Sequence, residues 1–234
     1  MKIIRPATEA EVISAFLKSE YHHREYHRDR EQHESLVLVP DLTSQRQNSI
    51  RRELLDRRHA ANWSALPRDT RWNLCEVELS GATRIRLLPT APWTGIAPGA
   101  ELTISEIVER IRKGQFPREC AREVAAIHVI AYRLRQRPMP FPALLIGVSP
   151  SRPLTILDGN RRLLAAALAG HGEAVTVQAF CGLSPRMAEC FCYETSKRKH
   201  RTDTRLRRLH LHPAFLKGAF TRWSSVATRL THVW

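Results

Sequence analysis

Apolar positions first recur at helical spacing in Val12, Ile13, Phe16 and Leu17, directly after Thr8-x-x-Glu11. That pairing of a hydroxyl with a glutamate three residues on is a capping box, and it predicts an amphipathic helix over about 9–19. Residues 21–33 (YHHREYHRDREQH) lose the apolar period and read as a polar helix or a flap over an active site. Ser35–Val39 (SLVLV) has the composition of a short strand, stopped by Pro40-Asp41. Ile50, Leu54 and Leu55, set among Arg and Glu, predict a second amphipathic helix over 49–58. Trp63 and Trp72 are of the type that packs one segment on another, and a domain boundary is placed near residue 70.

Beyond that point strands and helices alternate. Strands are expected at 73–79 and 83–88, then a helix opened by Thr103-x-x-Glu106 and closed at Gly114. Pro117 leads into the longest helix, 118–137, whose apolar stripe is Val124, Ile127, Ala131 and Leu134 and which Pro138 stops. The unbroken apolar run 141–148 and the run 154–157 are strands, and LLAAALAG (163–170) is a helix ending at a glycine. A strand over 174–180 and a helix opened by Ser184-Pro185 complete the order. The fold class expected is α+β: a mixed-sheet core over 71–184, a mainly helical extension over 1–70, and a basic helical segment over 185–234.

The chain has 234 residues and a formal net charge of +14. Residues 195–234 hold 10 basic and 1 acidic side chain, so most of the excess lies at that end. Lys197, Arg198, Lys199, Arg201, Arg205, Arg207 and Arg208 form a block whose field attracts a polyanion such as DNA or RNA, with Trp223 and Trp234 available for stacking. The alternatives are a solvated basic tail, or arginines that pair with acids of a second copy in a homodimer. No apolar stretch is long enough to cross a bilayer, and five cysteines without dense spacing fit a reducing, cytoplasmic setting. His22, His23, His27 and His33 lack a third ligand at a recognisable spacing, so zinc is disfavoured. Cys190-x-Cys192 and Cys181 read as buried thiols.

The sharpest chemical signal is LTILDGNRRLLAAALAG (154–170). A strand delivers Asp158, Gly159 allows a tight turn, and a helix begins at Asn160 or Arg161. The start of a helix presents amides without intrahelical acceptors and a partial positive charge, which together attract anions. Arg161 and Arg162 oppose the helix dipole there unless they serve a phosphate. Asp158 beside them suits a divalent cation or a proton. Arg84 and Arg86 alternate onto one strand face, where they reach phosphates or, more simply, solvent.

Strand–(D)G-x-(H/R)-R-x-x-A–helix resembles the signature of the ParB/sulfiredoxin-like domain, and the likeness extends over about 73–183. The resemblance implies that the turn and helix start hold nucleotide phosphates. Family members include CTP-binding partition proteins, ATP-dependent sulfinic-acid reductases, free-serine kinases and proteins described as nucleases. Gly159, Arg161 and Arg162 stand where partition proteins have G-E-R-R, with Asn160 in place of Glu. Asn160 also occupies the position of the reductase cysteine, which removes the nucleophile of that chemistry. Asp158, Gly159 and Arg162 match the kinases' D-G-x-H-R, and Arg161 replaces its histidine.

The function expected is therefore an NTP-dependent phosphotransferase or NTPase acting with ATP or CTP and Mg²⁺ on a small-molecule phosphate acceptor. Gly159, Asn160, Arg161 and Arg162 would hold the nucleotide, and Asp158 the cation or the proton. The extension would cover the site, with Glu20 as a second catalytic candidate and His23, Glu25 and His27 beside it. The alternative is a DNA- or RNA-binding regulator or nuclease using the basic C-terminal segment.

Overall fold

The computed structural model describes residues 1–22, 26–79, 84–98, 102–137, 143–170 and 175–193, with backbone only for 58–62. The chain divides into Met1–Thr195 and Ser196–Trp234, so the first 70 residues belong to the same compact unit as the core. His23, Glu25 and the whole basic block from Lys197 to Arg208 lie outside the described residues, as do Trp223 and Trp234. No described helix is long and apolar enough to cross a membrane.

The architecture is α+β. In chain order the elements are β1 (Lys2–Pro6), α1 (Glu9–Glu20), α2 (Arg30–Leu38), α3 (Gln45–Ser64), β2 (Arg71–Glu78), β3 (Ile85–Arg86), α4 (Trp93–Ile96), α5 (Ile104–Arg112), α6 (Ala121–Gln136), β4 (Ala143–Gly147), β5 (Leu154–Asp158), α7 (Asn160–Ala169) and β6 (Thr176–Leu183). The strands form one six-stranded mixed sheet in the order β1-β2-β6-β4-β5-β3. β4 lies parallel to β6 and antiparallel to β5, while β3 runs parallel to β5.

β4 explains why its sequence is apolar throughout. All five of its residues are buried, with Ala143 and Leu145 facing one core and Leu144 and Ile146 the other. A strand covered on both faces has no polar face to show. The first core is filled by α5, α6 and α7 through Ile107, Val108, Ile127, Leu163 and Leu164. The second holds the extension: Val12, Phe16 and Leu17 of α1, Leu54 and Leu55 of α3, and Val37 of α2. Trp63 stacks on Trp72 with ring centroids 5.7 Å apart, joining the extension to β2. Gly182 of β6 makes room for that indole, since a Cβ there would lie 2.9 Å from the Trp72 ring.

Three expectations change. Ser35–Val39 is not a strand but the end of α2 and its cap, where the Val39 amide donates to the Ser35 carbonyl at 2.9 Å. Its β-branched composition is overruled because Val37 and its neighbour Leu36 meet the core together, while Leu38 and Val39 face solvent. Lys2–Pro6 adds an unforeseen edge strand, antiparallel to β2 and exposed along its length. After β6, Pro185–Glu189 is a single 3₁₀ turn rather than a helix, because Cys190 turns extended and sends Cys192 and Tyr193 into the second core.

Arg51 of α3 is fully buried. Its guanidinium donates to the carbonyls of Leu36 at 3.0 Å and Asp41 at 2.9 Å, and also to the side chains of Gln47 and Asn48. It thereby ties the loop after α2 to α3 through neutral acceptors. Burial lowers its pKa, against a smaller opposing pull from Asp41.

Candidate functional site

Asp158 ends β5 at the edge of the second core, and the next residue reverses the chain. Gly159 sits at φ 95°, ψ 20°, a left-handed conformation that L side chains rarely adopt. A Cβ there would also stand 3.2 Å from the Ala143 Cβ and 3.4 Å from its Cα. The glycine is thus required twice, for its dihedral and for the approach of the turn to β4. α7 follows at once, with no side-chain cap at its start.

Asp158 Oδ2 accepts from Arg162 Nη2 at 2.9 Å, one helical turn further along the chain. The two side chains are 16% and 23% exposed, shielded enough for the pair to be stronger than a solvated one. The same Oδ2 lies 3.2 Å from the Ser19 hydroxyl, which also lies 2.8 Å from the Phe16 carbonyl. A hydroxyl has one proton, so Ser19 serves one acceptor at a time. The extension reaches Asp158 through Ser19. Glu20 is the next residue, half-buried at the end of α1.

Arg161 points elsewhere. Its guanidinium forms a bidentate pair with Glu123 of α6, through Nε to Oε1 and through Nη2 to Oε2 at 2.6 Å. Two parallel charge-assisted bonds of this kind hold a guanidinium in one plane. The adjacent arginines, alike in sequence, therefore face different partners. Asn160 Oδ1 is buried without a hydrogen-bond partner among the described residues. It is an acceptor at the start of α7, suited to a hydroxyl or amine donor and unsuited to a phosphate oxygen.

His22 borders this cluster, within electrostatic reach of Arg162. Arg30 donates to the carbonyls of Tyr21, at 3.1 Å, and His22. The Tyr21 hydroxyl donates to the Asp29 carbonyl at 2.8 Å. Partial desolvation, then the positive charges of Arg30 and Arg162, push the His22 imidazole below the ordinary histidine range. His27 is exposed, and among the described residues no group of three or more His, Cys, Asp or Glu is arranged to hold a metal ion.

The remaining candidates lie apart. Arg84 is exposed, and the Arg86 guanidinium carbon lies 5.2 Å from the centroid of the Tyr193 ring. All five cysteines are free and buried. Contact between thiols lowers Cys190 to about 7 and raises Cys192, and likewise lowers Cys75 and raises Cys181. An open cavity of about 410 Å³ lies between α1 and α3, lined by Glu9, Ile13, Asn48 and Arg52 among others. It lies toward the far end of α1 from Ser19, and Glu9 is already held by Arg52 at 2.6 Å and Trp63 at 3.1 Å.

The sequence singles out Asp158, Gly159, Asn160 and Arg162, and the structure sets Ser19 and Glu123, which no local pattern marks, in contact with Asp158 and Arg161. The Ser19 contact spans 139 positions and that of Glu123 spans 38. No family model, curated protein or solved structure matches this chain.

Proposed function

We propose that the turn from Asp158 to Arg162 binds the phosphates of a nucleotide, ATP or CTP with Mg²⁺, and that the protein is an NTP-dependent phosphotransferase or NTPase. The observation that supports this reading is the Asp158–Arg162 pair at the open start of α7, where a carboxylate and a guanidinium 2.9 Å apart flank amides that the helix leaves without acceptors.

The two members of that pair take opposite parts. Arg162 offers N–H donors to phosphate oxygens, and the α7 amides add theirs. Asp158 is a single carboxylate, which fits Mg²⁺: that ion is commonly held by one or two carboxylates together with substrate phosphates. Mg²⁺ would supply charge neutralisation on the phosphates. Asn160 Oδ1, buried without a partner among the described residues, would accept from a ribose hydroxyl or a base amine. Arg161, committed to Glu123, braces α7 against α6, so the proposal assigns it positioning rather than phosphate contact. Ser19 orients Asp158, and the wall formed by α1 and His22 gives the extension its part in the site.

Calorimetry with ATP and CTP in the presence of Mg²⁺ tests the reading. Micromolar binding to the intact chain, weakened at least tenfold by Arg162→Ala and less by Arg161→Ala, is the expected result. Absence of binding to the folded wild-type chain would reject it. A second reading, a DNA- or RNA-binding regulator or nuclease, is favoured by the 10 basic and 1 acidic side chains of residues 195–234. Removal of residues 197–208 should then weaken retention on DNA and RNA at low salt, and unchanged retention would reject that reading.

A further inference from the structure

The arginines of the described unit divide into two kinds. On α3, Arg52 pairs with Glu9 at 2.6 Å and with Asp56, and Arg57 pairs with Asp29 at 3.3 Å. On α5, Arg110 meets Glu106 at 3.9 Å and Lys113 meets Glu109 at 2.6 Å. Part of the α3 excess, five arginines against Glu53 and Asp56, is thus met by Glu9 and Asp29 from neighbouring segments, while Arg46 stands outside any ion pair among the described residues. The segment of α6 and the 3₁₀ turn before it draws on no such neighbours for most of its arginines. Residues 118–137 carry Arg118, Arg122, Arg133, Arg135 and Arg137 against two acids, of which Glu123 is consumed by Arg161. All five arginines are exposed. Among the described residues, Arg118, Arg133, Arg135 and Arg137 form no ion pair, and Glu119 is the one acid left on this surface.

The same face shows an aromatic ring to solvent. Tyr132 is 62% exposed and Val129 51%, while Val124, Ile127 and Ala131 on the opposite side are buried. Helical spacing sets Tyr132 one turn from both Val129 and Arg135, while Arg133 lies about 100° round the helix on the separate stripe that runs back through Val129 to Arg122. Arginines at the end of a helix also suit its dipole, but that effect explains neither Arg118 and Arg122 near its beginning nor the exposed ring.

We infer that the exposed face of α6 binds single-stranded nucleic acid, with Arg133 and Arg135, on either side of Tyr132, on the phosphates and Tyr132 stacked on a base. Charge complementarity selects a polyanion. The ring selects a single strand, whose base faces are open, over a duplex, where they are covered. A membrane surface is disfavoured because Val129 is the one large aliphatic side chain exposed beside the ring. The inference depends neither on a nucleotide at Asp158 nor on the basic C-terminal segment.

Fluorescence anisotropy of labelled 12-nucleotide single strands, RNA and DNA, with the full chain tests this surface. A duplex of the same sequence and anionic phosphatidylserine vesicles serve as comparison ligands. Tyr132→Ala should weaken single-strand binding about tenfold and change duplex binding less than twofold, while Tyr132→Phe should retain affinity. Arg133→Gln/Arg135→Gln should also weaken binding and flatten the log–log salt dependence by about 1.4, at about 0.7 per single-strand phosphate contact. Both effects should persist when Lys197, Arg198, Lys199 and Arg201 are all replaced by Gln, which separates this face from the tail. The inference is overturned if Tyr132→Ala leaves single-strand affinity intact, if it weakens duplex and single strand alike, or if vesicles are the ligand that α6 retains. Because the substituted side chains are solvent-exposed, an unchanged circular dichroism spectrum and Tm certify each variant for the comparison.

Discussion

Ser19 and Asp158 stand 139 positions apart in the chain and 3.2 Å apart in the fold. That contact makes the end of α1 part of the wall around the β5–α7 turn, and it joins residues that a boundary near 70 would place in separate domains. The Ser19 bond is worth about 1 kcal/mol at most, since its proton is shared with the Phe16 carbonyl. Ser19→Ala should therefore cost about 0.5–1 kcal/mol in urea unfolding. Asp158→Ala loses the ion pair as well and should cost about 1–2 kcal/mol. A double-mutant cycle should return a coupling of about 0.5 kcal/mol between the two. Strict additivity would mean that the hydroxyl prefers the carbonyl and leaves Asp158 alone.

Gly159 and Gly114 form a natural control pair. Both have positive φ, 95° and 65°, but a Cβ at Gly114 meets nothing within 4 Å, whereas one at Gly159 runs into Ala143. Gly114→Ala should cost about 1 kcal/mol, the dihedral penalty alone. Gly159→Ala should cost about 2–3 kcal/mol, because the turn must also move away from β4. Equal costs in chemical denaturation would show that the approach to Ala143 relaxes freely.

Local chemistry carried much of this fold. Thr8 and Glu11 close both halves of their capping box, so α1 starts where the sequence places it. The apolar run of β4 and the strand–glycine–helix turn were equally legible, since each is set by its own residues. What escaped notice was tertiary. Val37 draws Ser35–Leu38 into a helix, and Arg51 looks like a surface residue until the Leu36 and Asp41 carbonyls are seen around it. At the candidate site the same division holds. Asp158, Gly159 and Arg162 are local, while Glu123 reassigns Arg161 from another helix.

Arg51 gives that point a measurable form. Its planar fork satisfies several acceptors at once, which a lysine ammonium on a flexible stem does not reproduce. Arg51→Lys should be no better tolerated than Arg51→Met, each costing about 2–4 kcal/mol in urea denaturation. Near-wild-type stability of the lysine variant would mean that charge, rather than fork geometry, holds the loop after α2.

His22 supplies the pH dependence. Its pKa lies below the ordinary histidine value, so in the pH range between the folded and unfolded values the unfolded chain binds more protons than the folded one. Stability from this residue is therefore fully present above the unfolded value, near pH 6.5, and is lost as the pH falls through the folded value. Wild-type protein should lose stability on acidification from pH 7.5 to 5.5, and His22→Asn should lose measurably less. Desolvation is the larger cause of the shift and the charges of Arg30 and Arg162 add to it, so removing one arginine should reverse it only in part. A proton NMR titration of His22 in Arg162→Ala should show the imidazole titrating at higher pH than in wild type but still below the unfolded value. An unchanged titration would place Arg162 outside the electrostatic reach of His22 and leave His22 with no share in the site.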